Sequence, residues 1–146
     1  MDKTIQDFIE CKRLAVIGAS RTGDKFGNMA SKELQERGYQ VFIVHPEADE
    51  IDGESCYPSL AAVKDKVDGV FVSVPAAQAS GVFHEAAEAG LRNVWLQQQA
   101  ETPEVIELGK KLDLDLVYGK CILMYAPPVR SYHAVHRFFV RLFGQL

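Results

Sequence analysis

Leu14-Ala15-Val16-Ile17-Gly18-Ala19-Ser20-Arg21-Thr22-Gly23-Asp24-Lys25-Phe26-Gly27 is the stretch whose reading decides the fold. Four apolar residues in a row, with no polar alternation, read as a strand buried on both faces, and Gly18-Ala19-Ser20 stops it. The spacing then predicts a helix from about Gly27 to Arg37, with Ala30 and Leu34 on one face and Gly38 as its C-terminal cap. A second buried strand, Val41-Phe42-Ile43-Val44, ends at His45-Pro46.

The same alternation continues outward. A short amphipathic opening (Ile5, Phe8, Ile9) precedes the first strand. Residues 47 to 58 read as irregular and acidic, with Asp52-Gly53 as a turn, and Ser59 is expected to cap a short helix through Val63. Gly69-Val70-Phe71-Val72 is a third strand, closed by Val74-Pro75. A helix from about Ala76 to Ala89 turns Ala79, Phe83, Ala86 and Ala87 inward, and Asn93-Val94-Trp95-Leu96 is a fourth strand. Thr102-Pro103, a capping hydroxyl with proline at the first helical position, starts a helix to about Lys111. Asp115-Leu116-Val117 is a fifth strand.

Strands that are continuously apolar belong to parallel sheets covered by helices on both faces. The expected fold is therefore α/β: a Rossmann-like, doubly wound, mostly parallel five-stranded sheet flanked by helices, with a C-terminal helix. One domain over 1–146 suits a 146-residue chain, with 126–146 as a helical extension. In that extension Ser131 caps a helix bearing Tyr132, Val135, Phe138, Phe139, Leu142 and Phe143, opposite a stripe of His133, Arg137 and Arg141. Its apolar face calls for burial on its own sheet, on a second copy of the chain in a homodimer, or on a partner protein.

Composition narrows the function classes. The chain is 47% hydrophobic and 25% charged, which is globular, and its net charge of −4 argues against nucleic-acid binding. Its longest apolar stretch, Val70 to Ala77, is broken by Ser73 and Pro75, so no membrane span is expected. Met1-Asp2-Lys3-Thr4 lacks the layout of a secretion signal, and the cytoplasm is the expected location. Cys11, Cys56 and Cys121 are few, odd in number and far apart, which suits a reducing compartment.

The chemistry is expected where ligands bind in open α/β sheets, at the carboxyl ends of the strands. The first turn is glycine-rich and leads into a helix whose N-terminus offers unpaired amides and about half a positive charge, a setting for phosphate. Ser20 and Thr22 add hydroxyls there; Arg21 and Lys25 add charge. The turn is neither a triphosphatase loop nor G-x-G-x-x-G. The second strand ends in His45-Pro46 rather than the acid that accepts the ribose hydroxyls of NAD. NAD is disfavoured, and on the residues alone NADP and coenzyme A both remain open.

Val16-Ile17-Gly18-Ala19-Ser20, Lys25-Phe26-Gly27, Val44-His45-Pro46, Cys56-Tyr57-Pro58-Ser59-Leu60, Val74-Pro75 and Trp95-Leu96-Gln97 occur in the order seen in single-domain CoA-binding proteins. In these motifs the chain, over about residues 10 to 125, resembles that family, which itself resembles the CoA-binding domain of the succinyl-CoA synthetase α subunit. The resemblance implies a small coenzyme A or acyl-CoA binding protein that does no chemistry alone. Its diphosphate would lie on Gly18, Ala19, Ser20 and Arg21, with Lys25 near a phosphate. His45 and Pro46 would flank the adenosine; Val74, Pro75 and Gln78 would form a wall; Leu96 and Gln97 would face the pantetheine arm. The synthetase relatives carry a lysine just after the proline ending the second strand, where this chain has Glu47-Ala48.

Sharper chemistries are weaker. No G-x-S-x-G elbow surrounds Ser20 or Ser73, and the histidine that serves the synthetases lies on another domain, so no catalytic residue is expected. The alternative reading is an NADP-dependent or acyl-CoA-handling enzyme subunit that needs a partner. His133 and His136 have metal-pair spacing but lack a third ligand and share their stripe with arginines, so no metal is expected. Cys121, after the fifth strand, is a candidate for a mixed disulfide with a ligand thiol; its plainer role is that of a small buried hydrophobe.

Overall fold

The computed structural model describes residues 2–127; the expected tail helix, with His133, His136, Arg137 and Arg141, lies outside them. In chain order the elements are α1 (Lys3–Ile9), β1 (Arg13–Ile17), α2 (Phe26–Glu36), β2 (Gln40–Val44), β3 (Glu50–Ile51), β4 (Glu54–Tyr57), β5 (Gly69–Val72), α3 (Ala76–Glu88), β6 (Asn93–Gln97), α4 (Pro103–Lys111) and β7 (Asp115–Lys120). Single turns of 3₁₀ helix occupy Ala61–Val63 and Ile122–Met124.

The sheet runs in the order β3-β4-β2-β1-β5-β6-β7. All neighbours are parallel except the edge pair β3–β4. From β1 the chain builds outward to β2 and β4, then returns to the other side of β1 as β5. The direction of winding thus reverses between β1 and β5, and there the carboxyl ends open a crevice.

Side chains of a strand point alternately to the two faces, and both faces here are covered. Leu14 and Val16 of β1 pack with Phe71, Trp95, Ile5, Phe8, Ala30 and Leu34 against α1 and α2. Ala15 joins Val70, Val72, Val94, Leu96, Ala79, Phe83, Ala86 and Val105 against α3 and α4. Trp95 is fully buried between Phe8 and Tyr125, at ring-centroid distances of 5.3 and 5.8 Å. Its indole N–H donates to the Lys120 carbonyl at 3.0 Å, so the largest core ring leaves no buried donor unpaired.

The fold class stands as expected, with two strands more. Residues 47–58 are not irregular: Asp52 and Gly53, at φ 52° and 81°, turn β3 back onto β4. β4 then pairs with β2 through Ile43–Cys56 and Val44–Tyr57. At this edge Ile51 alone of the two strands is buried, so no apolar run marks them. The α4 start is as expected: Thr102 Oγ1 accepts from the Val105 amide at 3.2 Å, with Pro103 behind it. No helix among the described residues is long and apolar enough to cross a membrane.

Two charged side chains fasten the periphery. Arg37 at the end of α2 donates to the Leu123 and Ala126 carbonyls at 2.8 and 2.6 Å, holding the segment after β7. Arg13 grips Asp68 through Nε and Nη2 at 3.2 and 2.7 Å, at the amino ends of β1 and β5 and away from the crevice. That hydrogen bond holds the Asp68 carboxyl below the usual carboxylate range. A lowered folded-state pKa gives stability that is present above the unfolded value and lost as pH falls through the folded one. Asp68→Asn should therefore flatten the acid limb of a stability–pH profile and cost under about 1 kcal/mol at neutral pH, since the pair is half-exposed. Urea melts across pH check both.

Candidate functional site

The crevice begins with a contact that only glycine permits. Gly18 follows β1 at φ 125°, and a Cβ there would stand 2.2 Å from the Ser73 carbonyl oxygen at the end of β5. On its other side lies Gly27, whose Cβ would be 2.5 Å from the Gly18 carbonyl carbon. Two absent side chains thus let α2 start against the end of β1 and let β1 run beside the end of β5. The result is a close-packed meeting of the two strand ends with the start of α2, which fixes the backbone of the first turn.

Asn28, 1% exposed, fixes the loop between them. Its Oδ1 accepts from the Ser20 amide at 2.9 Å and from the Lys25 amide at 3.3 Å. Its Nδ2 donates to the Ser20 carbonyl and to Asp52 Oδ2, both at 2.9 Å. One buried amide thereby ties the loop to itself, to the start of α2 and to the β3–β4 turn. A consequence is that the Ser20 N–H is already committed, so a ligand phosphate must find other donors.

The cleft of about 540 Å³ is lined by residues of three turns: Ile17 to Arg21 with Lys25, Val44 to Glu47, and Ser73 to Pro75 with Gln78. That is the usual size for a small-molecule site. Gly18, Ala19, Ser20, Arg21, Lys25, His45, Pro46, Val74, Pro75 and Gln78, expected from the sequence, all come together here. Leu96 and Gln97 do not. Leu96 has no exposed surface, because it is a core residue of β6. Gln97 is 7% exposed and its Oε1 accepts from the Ile122 amide at 3.1 Å; it borders a neighbouring hollow with Ser73, Val74, Pro75 and Gln98 to Ala100.

His45 is oriented by its own turn. Its Nδ1 accepts from the Glu47 and Ala48 amides at 3.1 and 3.0 Å, which leaves the proton on Nε2. Glu47 also lines the cleft, its carboxylate 3.5 Å from the Arg21 guanidinium. Ser20 Oγ lies 2.9 Å from Thr22 Oγ1, and both hydroxyls reach the Asp24 carboxylate. Those hydrogen bonds, from Thr22 first and then Ser20, hold Asp24 below the usual carboxylate range.

Sequence reasoning missed Asn28, Asp24, Glu47 and Ser73 as parts of the site. Asn28 had a signal: it occupies the third helical position, where a side chain can cap the preceding backbone amide. Cys121 is not among the residues lining the cleft; it follows β7, with β5 and β6 between that strand and β1. Burial pushes the Cys11 thiol up to about 11, which leaves it protonated and inert. Among the described residues, no group of three or more His, Cys, Asp or Glu could hold a metal.

Fold and cleft together define a doubly wound α/β domain with its crevice at the switch point. The chain belongs to the CoA binding domain family, which matches residues 12–127. It is 32% identical over 111 residues to the uncharacterized protein YneT of Bacillus subtilis, covering 76% of this chain and 82% of that one. It is also 32% identical over 119 residues to the ADP-forming acetate–CoA ligase II of Archaeoglobus fulgidus, covering 73% of this chain but only 18% of the ligase. Among solved structures, a conserved hypothetical protein from Pyrococcus furiosus superimposes with a TM-score of 0.71 at 35% identity, covering 76% of this chain and 96% of that one.

The glycine contact and the amide rivet give separate outcomes. Gly27→Ala must push α2 off the end of β1 and should cost roughly 1–3 kcal/mol, as overpacking does. Asn28→Ala leaves the part-buried Ser20 and Lys25 amides without the acceptor that Asn28 supplies and should cost about 1–3 kcal/mol. Denaturant melts of each variant supply the measurement.

Proposed function

We propose that this chain binds coenzyme A or an acyl-CoA in the cleft between the β1, β2 and β5 ends, and does no chemistry alone. The observation that carries the reading is the convergence of ten expected residues on one cleft at the switch point, in a member of a CoA-binding family. The fit is physical. The turn from Gly18 to Arg21 presents its backbone to a phosphate, while Arg21 and Lys25 supply positive charge at the start of α2. The diphosphate would lie on Gly18 to Arg21, with Lys25 beside it. His45, donating from Nε2, and Pro46 would flank the adenosine, and Val74, Pro75 and Gln78 would wall the pantetheine.

The family match favours coenzyme A over NADP. A second reading has specific support: the subunit α of an ADP-forming acetate–CoA ligase from Pyrococcus furiosus is 32% identical over 123 residues, with this chain covering 26% of it. In that reading the domain hands CoA to a catalytic partner chain. A cytoplasmic location suits either reading.

Thermal-shift titration with CoA, NADP, NAD and ATP tests the ligand. CoA at 100 times its dissociation constant should add about 2.7 kcal/mol of stability. A shift with NADP and none with CoA reverses the assignment. Lys25→Glu should weaken CoA binding and leave the circular dichroism spectrum unchanged; unaltered affinity removes Lys25 from the site.

A further inference from the structure

Two of the groups that face the cleft as anion donors are already held by carboxylates of this chain. Ser20 Oγ lies 3.2 Å from Asp24 Oδ1, while Thr22 Oγ1 donates to the same oxygen. Across the mouth, the Arg21 guanidinium lies 3.5 Å from Glu47 Oε2. Ser20, Arg21 and Glu47 line the cleft, and Asp24 reaches the Ser20 hydroxyl from behind. A carboxylate and a phosphate offer the same charged oxygen acceptors to the same donors. An incoming diphosphate must therefore take Ser20 from Asp24 and Arg21 from Glu47, and then sit near both displaced charges.

We propose that Asp24 and Glu47 are internal competitors for the anion-binding groups, setting the affinity of the cleft for phosphorylated ligands below that of the same loop without them. The inference rests on the CoA-binding reading and deepens it: these two residues tune the affinity and release of a phosphorylated ligand. Asn28 holds the backbone of Ser20 and Lys25, whereas the exposed Asp24 carboxylate accepts from the hydroxyls of Thr22 and Ser20 and from its own amide. Arg21 and Glu47 are likewise exposed on their side-chain surfaces, by 61% and 74%. Both pairs can open without unfolding anything.

Isothermal titration with CoA on the full chain, at low and at high salt, tests this with Asp24→Asn and Glu47→Gln. Asparagine keeps an acceptor for the hydroxyls and removes only the charge. Each variant should tighten CoA binding roughly two- to five-fold at low salt, the scale of an exposed charge interaction. The gain should shrink in high salt, where the Debye length falls to about 3 Å at 1 M. In a Ser20→Ala background the Asp24→Asn gain should also shrink, because the contested donor is gone. Unchanged or weaker CoA binding by both variants, with a normal wild-type titration, overturns the competitor role and leaves the CoA assignment standing. No CoA binding by the wild type or by either variant overturns the assignment as well. Unaltered thermal melts of the free variants separate these outcomes from a damaged fold.

Discussion

The whole site depends on one close approach, that of the Gly18 backbone to the Ser73 carbonyl on one side and to Gly27 on the other. Any side chain at Gly18 would collide with the end of β5, and any at Gly27 with the end of β1. Three elements can therefore meet at the point where the sheet reverses its winding only because two methyl-sized volumes are missing there. The placement of α2 against the strand ends and the spacing of the three turns follow from that contact. The two apolar layers beneath it, one around Phe71 and Trp95 and one around Val70, Phe83 and Leu96, hold the strand ends rigid enough to keep it.

Polar groups then specify the cleft. Asn28 spends its amide inside the protein on backbone and on Asp52, so the loop is shaped before any ligand arrives. His45 spends one ring nitrogen on its own turn and keeps the other for the cleft. A preshaped cleft of this kind loses little freedom on binding, which favours recognition.

Much of this was legible in the sequence, because the deciding signals are local. The unbroken apolar runs at Leu14–Ile17, Val41–Val44 and Gly69–Val72 announce parallel strands of a covered sheet, and the glycine-rich turn after the first marks the end where the cleft opens. The hairpin at Glu50–Tyr57 was not legible, since an edge that buries a single isoleucine leaves no periodicity to read. The roles of Asn28 and Glu47 were hidden for another reason: each depends on a partner brought near by folding, as Asn28 meets Asp52 across 24 positions and Glu47 meets Arg21 across 26. Leu96 misled because a motif position says which strand end a residue occupies, and not which face of the sheet it joins.

The Asn28–Asp52 hydrogen bond gives the edge hairpin a stake in the cleft. β3 and β4 are short and thinly packed, the kind of unit that opens at a small fraction of the global unfolding free energy. Because Asn28 grips Ser20 with the same side chain, loosening that edge slackens the turn beneath the cleft. By thermodynamic reciprocity, an occupant gripping the turn must slow amide exchange along Glu50–Tyr57. Fold edge and cleft are, in that sense, one mechanical unit, joined by that amide and by the pairing of β4 with β2.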